Sequence, residues 1–311
     1  MFGGRLAALA VALATVTAPV LAQPVKPATG LMERSYAFAD AGGKAMPYSV
    51  YVPTAYDPHR AYPLIMVLHG AGGDHRTVFA NSNLAELAEK RGVIVVAPLG
   101  YNAFGGYGDI YPTIVTAKTA KAGSKSILQL SLTLGLTAPP RNPAAAQAAE
   151  PPAGTDEEHV EVPAGDLAAT EAGKLSETDT MNVLALVRKD FNIDARRIYL
   201  IGNSMGGVGT AYLAVKYPAI WAAVAPAGGA LAAWSYPIER LRDGGVPALF
   251  VHGEKDEHAH YRFNKAMVDA ARKKGVDVRM LVVPGASHTR AWIVALPQTF
   301  DFLLAHQKTV R

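Results

Sequence analysis

Two kinds of apolar pattern alternate along this chain. PLIMVLHG (Pro63 to Gly70) and GVIVVAPLG (Gly92 to Gly100) are unbroken apolar runs, the pattern of strands buried on both faces. RIYLIG from Arg197, AAVAPAGG from Ala222, PALFVHG from Pro247 and VDVRMLVVPG from Val276 read the same way. Earlier, RSYAFAD from Arg34 and MPYSVYVP from Met46 flank Gly42-Gly43, which predicts a hairpin. Helical spacing fills the gaps: Asn83 to Arg91, Thr178 to Asn192 with Thr178 as N-cap, Met205 to Lys216, Tyr261 to Lys274, and a last helix from about Ala291. Strands alternating with helices predict an α/β protein with a mostly parallel central sheet covered by helices on both faces.

Residues 116–175 break the alternation and are far longer than an ordinary connection. The stretch opens with Lys118, Lys121 and Lys125, then alternates as LQLSLTLGL from Leu128 to Leu136. It becomes Ala/Pro-rich and finally acidic, a composition with little to bury. The expectation is a partly disordered or lid-like insertion before the helix that precedes the Arg197 strand. On this reading Ala144 to Gly173 is dispensable for folding. The leucine stripe, apolar on one face if extended, is a candidate flap or hairpin arm.

The N-terminus carries Arg5, an apolar stretch from Leu6 to Val16 and Val20-Leu21-Ala22, the order of a signal peptide with cleavage after Ala22. Pro19 closes the apolar stretch short of the ~20 residues that a membrane span needs. The expectation is an exported protein, periplasmic or secreted, with one domain over 23–311 and no integral membrane segment after cleavage. The chain has no cysteine, which excludes disulfides, thiol catalysis and Cys-ligated zinc. A net charge of +4, reduced by one when Arg5 leaves, does not argue for a nucleic-acid partner. No phosphate loop or dinucleotide fingerprint follows a strand, so no cofactor is expected, and no metal.

Candidate chemistry centres on Gly202-Asn203-Ser204-Met205-Gly206, a G-x-S-x-G motif between a predicted strand and a predicted helix. Glycines relieve the crowding of a tight strand-to-helix turn, and the turn lifts the Ser204 hydroxyl above the sheet. The Met205 N–H then lies at a helix N-terminus, where developing negative charge is stabilised. A serine needs a base held by an acid. Asp256 stands just past the PALFVHG strand, with Glu254 and Glu257 as competitors. His288 follows the last strand in a Gly/Ser loop, which gives the chain order Ser, Asp, His. VLHGAGGD (Val67 to Asp74) supplies a second oxyanion donor: the Ala71 N–H first, with Gly70 and Gly72 as alternatives. His69 and His252 read as structural residues. The loop GYNAFGGYGDIYP from Gly100 lies at a strand carboxyl end, where Tyr101, with Phe104, Tyr107 and Tyr111, is a candidate substrate-binding residue.

YPLIMVLHGAGGD, DARRIYLIGNSMGG, VHGEKD and VVPGASHTRAW together resemble the secreted α/β-hydrolase esterases related to polyhydroxybutyrate depolymerases and feruloyl esterases. The resemblance implies the α/β-hydrolase fold, a triad of Ser204, Asp256 and His288, and oxyanion donors at Met205 and Ala71. It makes Trp292 a pocket-wall or packing residue, and it implies small-molecule or polymeric esters as substrates. Three rival readings stay open: a prolyl-oligopeptidase-like serine peptidase, an acyltransferase, and a non-catalytic hydrolase-fold binding module.

Overall fold

The structure is a computed structural model that describes residues 28–108, 167–229, 237–259 and 261–309, with the side chains of 167–170, 262 and 263 excepted. The expected signal peptide, Tyr111, the leucine stripe and the expected insertion up to residue 166 lie outside the described residues.

Eight strands form one sheet in the order β1-β2-β4-β3-β5-β6-β7-β8. β1 (Gly30–Phe38) and β2 (Lys44–Val52) make the expected antiparallel hairpin. Its turn depends on Gly42 and Gly43, whose φ of 66° and 81° side chains avoid. β2 pairs antiparallel with β4 (Ile94–Pro98). From there the sheet is parallel through β3 (Tyr62–Leu68), β5 (Ile193–Asn203), β6 (Ala223–Ala227), β7 (Ala248–Gly253) and β8 (Val278–Val283).

The unbroken apolar runs are explained by a core on each face. In β3, Leu64, Met66 and Leu68 point into one cluster and Ile65 and Val67 into the other, the period of two that a strand imposes. α3 (Leu167–Asp190), α4 (Met205–Lys216) and α6 (Tyr261–Lys273) cover the first face. α2 (Leu84–Arg91) and α7 (His288–Leu304) cover the second. Two short helices, α1 (Thr77–Ala80) and α5 (Glu239–Asp243), complete the described set. Among the described residues no helix is long and apolar enough to cross a membrane.

Two expected boundaries move. Thr178 is no N-cap: α3 starts eleven residues earlier, and the Thr178 hydroxyl donates to the Lys174 carbonyl at 3.1 Å. Helix α3 therefore takes in the end of the expected insertion, where Ala172 is buried and the Gly173 carbonyl accepts the Gly108 N–H at 2.6 Å. The last helix begins at His288 rather than near Ala291, so the Gly/Ser loop ends one residue before the histidine.

Candidate active site

Ser204 directly follows β5 and caps α4 with φ 58°, the one positive-φ side-chain-bearing residue among those described. Such a conformation costs roughly 1–3 kcal/mol and persists only where its surroundings enforce it. The flanking glycines show how. A Cβ on Gly202 would lie 2.4 Å from the Gly206 carbonyl oxygen, and one on Gly206 would lie 2.2 Å from that of Leu68. The first turn of α4 is thus wedged against the ends of β3 and β5, as the motif predicts.

Asp256 and His288 meet across the ends of β7 and β8, with Nδ1 2.7 Å from Oδ2. Oδ1 accepts from the His258 and Ala259 amides at 2.9 and 2.8 Å, so both carboxylate oxygens are engaged. Burial raises the Asp256 pKa. The bond from His288, that ring's charge and the two amides outweigh this and hold it below the usual carboxylate range. Neither competing acid occupies this place: Glu254 accepts the Gly285 N–H at 2.7 Å, and Glu257 is mostly exposed with His258 at 3.6 Å.

The His288 ring packs over Gly228, where a Cβ would come within 2.7 Å of Cε1. A Cβ on the next residue, Gly229, would come 2.4 Å from the Ser204 carbonyl oxygen. This glycine pair is the floor beneath base and serine. Sequence reasoning treated Gly228-Gly229 only as the end of a strand, although two glycines directly after a buried strand signal a close approach. The other ring nitrogen, Nε2, is buried without a hydrogen-bond partner, and no hydrogen bond joins it to Ser204 Oγ. Such contacts commonly tighten only when substrate binds.

The loop after β3 reaches the serine through Gly70, where a Cβ would sit 3.4 Å from Ser204 Cβ. Gly72 donates its N–H to Ala103 at 2.8 Å and Gly73 donates to Gly70 at 3.0 Å. This removes Gly72 as an oxyanion donor and leaves Gly70 and Ala71, whose N–H groups take no acceptor among the described residues. Met205 N–H opens α4, where helix donors lack an internal partner. His69 touches backbone carbonyls with both ring nitrogens, Gly70 at 2.8 Å and Leu99 at 2.5 Å.

The two substrate-binding candidates have these surroundings. The Tyr101 N–H bonds Ser176 Oγ at 2.9 Å, and the Lys44 ammonium covers its ring at 4.6 Å, so the side chain belongs to the hairpin edge. Trp292 is 7% exposed inside the core between the sheet and α7, a packing position and not a pocket wall. Two aromatics of the candidate loop reach the site loop: Phe104, 40% exposed with its ring against Gly72, and buried Tyr107, whose hydroxyl accepts the His69 N–H at 3.2 Å.

A family model for the dienelactone hydrolase family matches residues 51–292. Among solved structures, the chain is similar to a thermostable esterase, with 19% identity, TM-score 0.60 and 89% of this chain covered. It spans 63% of that esterase's length. It also resembles a ferulic acid esterase (14% identity, TM-score 0.59, 88% of this chain and 97% of that one). An S-formylglutathione hydrolase from Agrobacterium tumefaciens gives 19% identity, TM-score 0.57, and coverage of 90% of this chain and 97% of that one. No curated protein matches. At these identities the structural likeness speaks for fold, and the family match spans most of the chain, including the serine turn, Asp256 and His288. The chain belongs to the dienelactone hydrolase family, has the α/β-hydrolase fold, and is a carboxylic ester hydrolase.

Proposed function

We propose that this chain is an exported serine esterase that works through an acyl-enzyme. Ser204 is the nucleophile, His288 its base, and Asp256 the acid that orients and charges the pair. His288 Nε2 takes the Ser204 proton as Oγ attacks the ester carbonyl, and the Met205 and Ala71 amides receive the oxyanion. His288 then returns the proton to the leaving alcohol, and water, activated by the same ring, releases the acid. The supporting observation is the 2.7 Å Asp256–His288 pair, which rests on the glycine floor shared with the left-handed turn at Ser204. Nε2 holds no competing hydrogen-bond partner among the described residues, which leaves it free to take the Ser204 proton.

The motif resemblance to polyhydroxybutyrate depolymerases and feruloyl esterases supports small, aromatic or hydroxyalkanoate acyl groups as substrates. The signal-peptide pattern before Gln23 supports export. The test is an ester panel (p-nitrophenyl acyl esters, methyl ferulate, acetylated xylan, hydroxybutyrate oligomers) run on wild type and Ser204→Ala. Turnover by wild type alone is expected; equal turnover by both proteins sinks the reading.

A further inference from the structure

His252, the penultimate residue of β7, stands four residues before Asp256 and has no part in the chemistry described above. Its side chain is fully buried, and that of Asp256 is 1% exposed. Asn264, on α6, places Nδ2 2.7 Å from His252 Nδ1. With the Asn264 amide so oriented, Nδ2 donates, Nδ1 accepts and the neutral ring carries its proton on Nε2, an arrangement that leaves Asn264 Oδ1 buried without a partner. That Nε2 is buried with no close hydrogen-bond partner and lies 3.8 Å from Asp256 Oδ2. The same oxygen takes His288 Nδ1, so two imidazoles face one carboxylate oxygen from opposite elements. The other groups around the ring are the Tyr261 side chain, 5.5 Å between centroids, and the Ala259 backbone, whose hydrogen-bonding contact with the ring favours its protonated form and shares the ring N–H with Asp256. Beyond Asp256, the His258 ring stands 5.4 Å from His288 and carries Glu257 beside it.

We propose that His252 is a positioning residue for the triad: fixed as the Nε2–H tautomer by Asn264, it aims an N–H dipole at Asp256 Oδ2 and keeps the carboxylate ionised and aligned on His288. The proposal rests on the triad reading above. A lysine or arginine in this place would also hold the carboxylate, but its fixed charge would oppose the positive charge that His288 acquires in the reaction. A neutral imidazole gives the alignment without that opposition. Burial keeps His252 below the ordinary imidazole range, against the pull of Asp256 and with the help of the charge on His288.

Removing the N–H dipole leaves Oδ2 to His288 alone, so the His288 imidazolium is held more firmly and gives up its proton at higher pH. The test is the pH dependence of kcat/KM for wild type, His252→Phe and His252→Gln, with thermal melts on each. The Gln Nε2 amide reproduces the donor at nearly the same point without titrating. The expected result for His252→Phe is a rising limb displaced upward by roughly half a unit or more and a rate about tenfold lower, with His252→Gln recovering most of both. A folded His252→Phe protein with its limb in the wild-type place overturns the proposal. If the Phe variant does not fold, ¹⁵N-histidine spectra of the wild type decide the matter. A neutral His252 with its proton on Nε2, while His288 titrates, supports the proposal. A proton on Nδ1, or His252 titrating together with His288, overturns it. Ser204→Ala is the separate control: if that variant stays active, the triad reading fails whatever His252 does.

Discussion

The Ser204 N–H donates to Ala227 at 2.8 Å and its carbonyl accepts from Val208 at 3.0 Å, so the turn is pinned to β6 on one side and to its own helix on the other. In the proposed reaction the neighbouring pair, Asp256 and His288, divides the work that a lone serine lacks. Asp256→Asn keeps the shape but not the charge, and its amide can present N–H to His288 Nδ1, which favours the wrong tautomer. A loss on the order of 10³–10⁴ in kcat is expected with an unchanged melting temperature, while Glu254→Gln and Glu257→Gln stay within a few-fold of wild type. A different acid carries a different expectation. Asp179 in α3 is fully buried; one carboxylate oxygen takes the Tyr36 hydroxyl at 2.7 Å and the other has no partner. Burial pushes its pKa from 3.8 up to about 7. The folded state therefore binds this proton more tightly than the unfolded one. The stability so gained is complete below about pH 4 and is lost as pH rises through about 7. Asp179→Asn, which still accepts the Tyr36 hydroxyl, is expected to melt above wild type at pH 8, with the gap closing toward pH 4. Equal melting temperatures at pH 8 contradict the assignment.

Among the elements, the β5–α4 turn is where a minimal change does most harm. A methyl on Gly206 meets the Leu68 backbone oxygen at 2.2 Å, and no flexible side chain is there to yield. Gly206→Ala is expected to cost at least ~2 kcal/mol in denaturant unfolding and to displace Ser204. This turn was legible in the sequence because its chemistry is local: a strand, the crowded glycines Gly202, Gly206 and Gly207, and a helix. Helix α3 was legible only in its second half. Its buried polar residues Ser176, Glu177, Asp179 and Thr180 look like the solvated start of a helix. Thr180 donates back to the Ser176 carbonyl one turn earlier, but Ser176, Glu177 and Asp179 find partners in distant segments that no local pattern announces. Glu177 takes the hydroxyls of Tyr212 and Tyr217 and the Lys216 ammonium, while Ser176 takes the Tyr101 amide. The contacts of Ala172 and Gly173 argue against treating the last residues of Ala144 to Gly173 as dispensable. Replacing the whole stretch with a Gly/Ser linker removes buried Ala172 and the Gly173–Gly108 bond, and is expected to lower the melting temperature by several degrees. A replacement that stops at Asp166 keeps both.

For the molecule as a whole, the alternation of strands and helices was enough to give the parallel sheet and its two covered faces. The spatial order of the strands was not readable, because each buried apolar run fits any central position. The C-terminal tail was equally silent. Lys308 donates to the carbonyls of Pro218, Trp221 and Gly244 at 2.6, 3.0 and 2.8 Å, tying the chain end to the loops around β6. Ser204, Asp256 and His288 were found from chain order after strand ends, and that order brings the acid and the base together within one rim of the sheet. His252 was passed over because a histidine at a strand end carries no sign of the carboxylate it faces. The account stands on Ser204 as the acylated residue. The direct measurement is peptide mass spectrometry of wild type and Ser204→Ala after reaction with a slowly deacylating p-nitrophenyl ester. One acyl group on the peptide containing Ser204, formed with the burst of p-nitrophenol and absent from the variant together with turnover, is the expected result. An acyl group on another residue, or a Ser204→Ala protein that still turns over the ester at the wild-type rate, contradicts it.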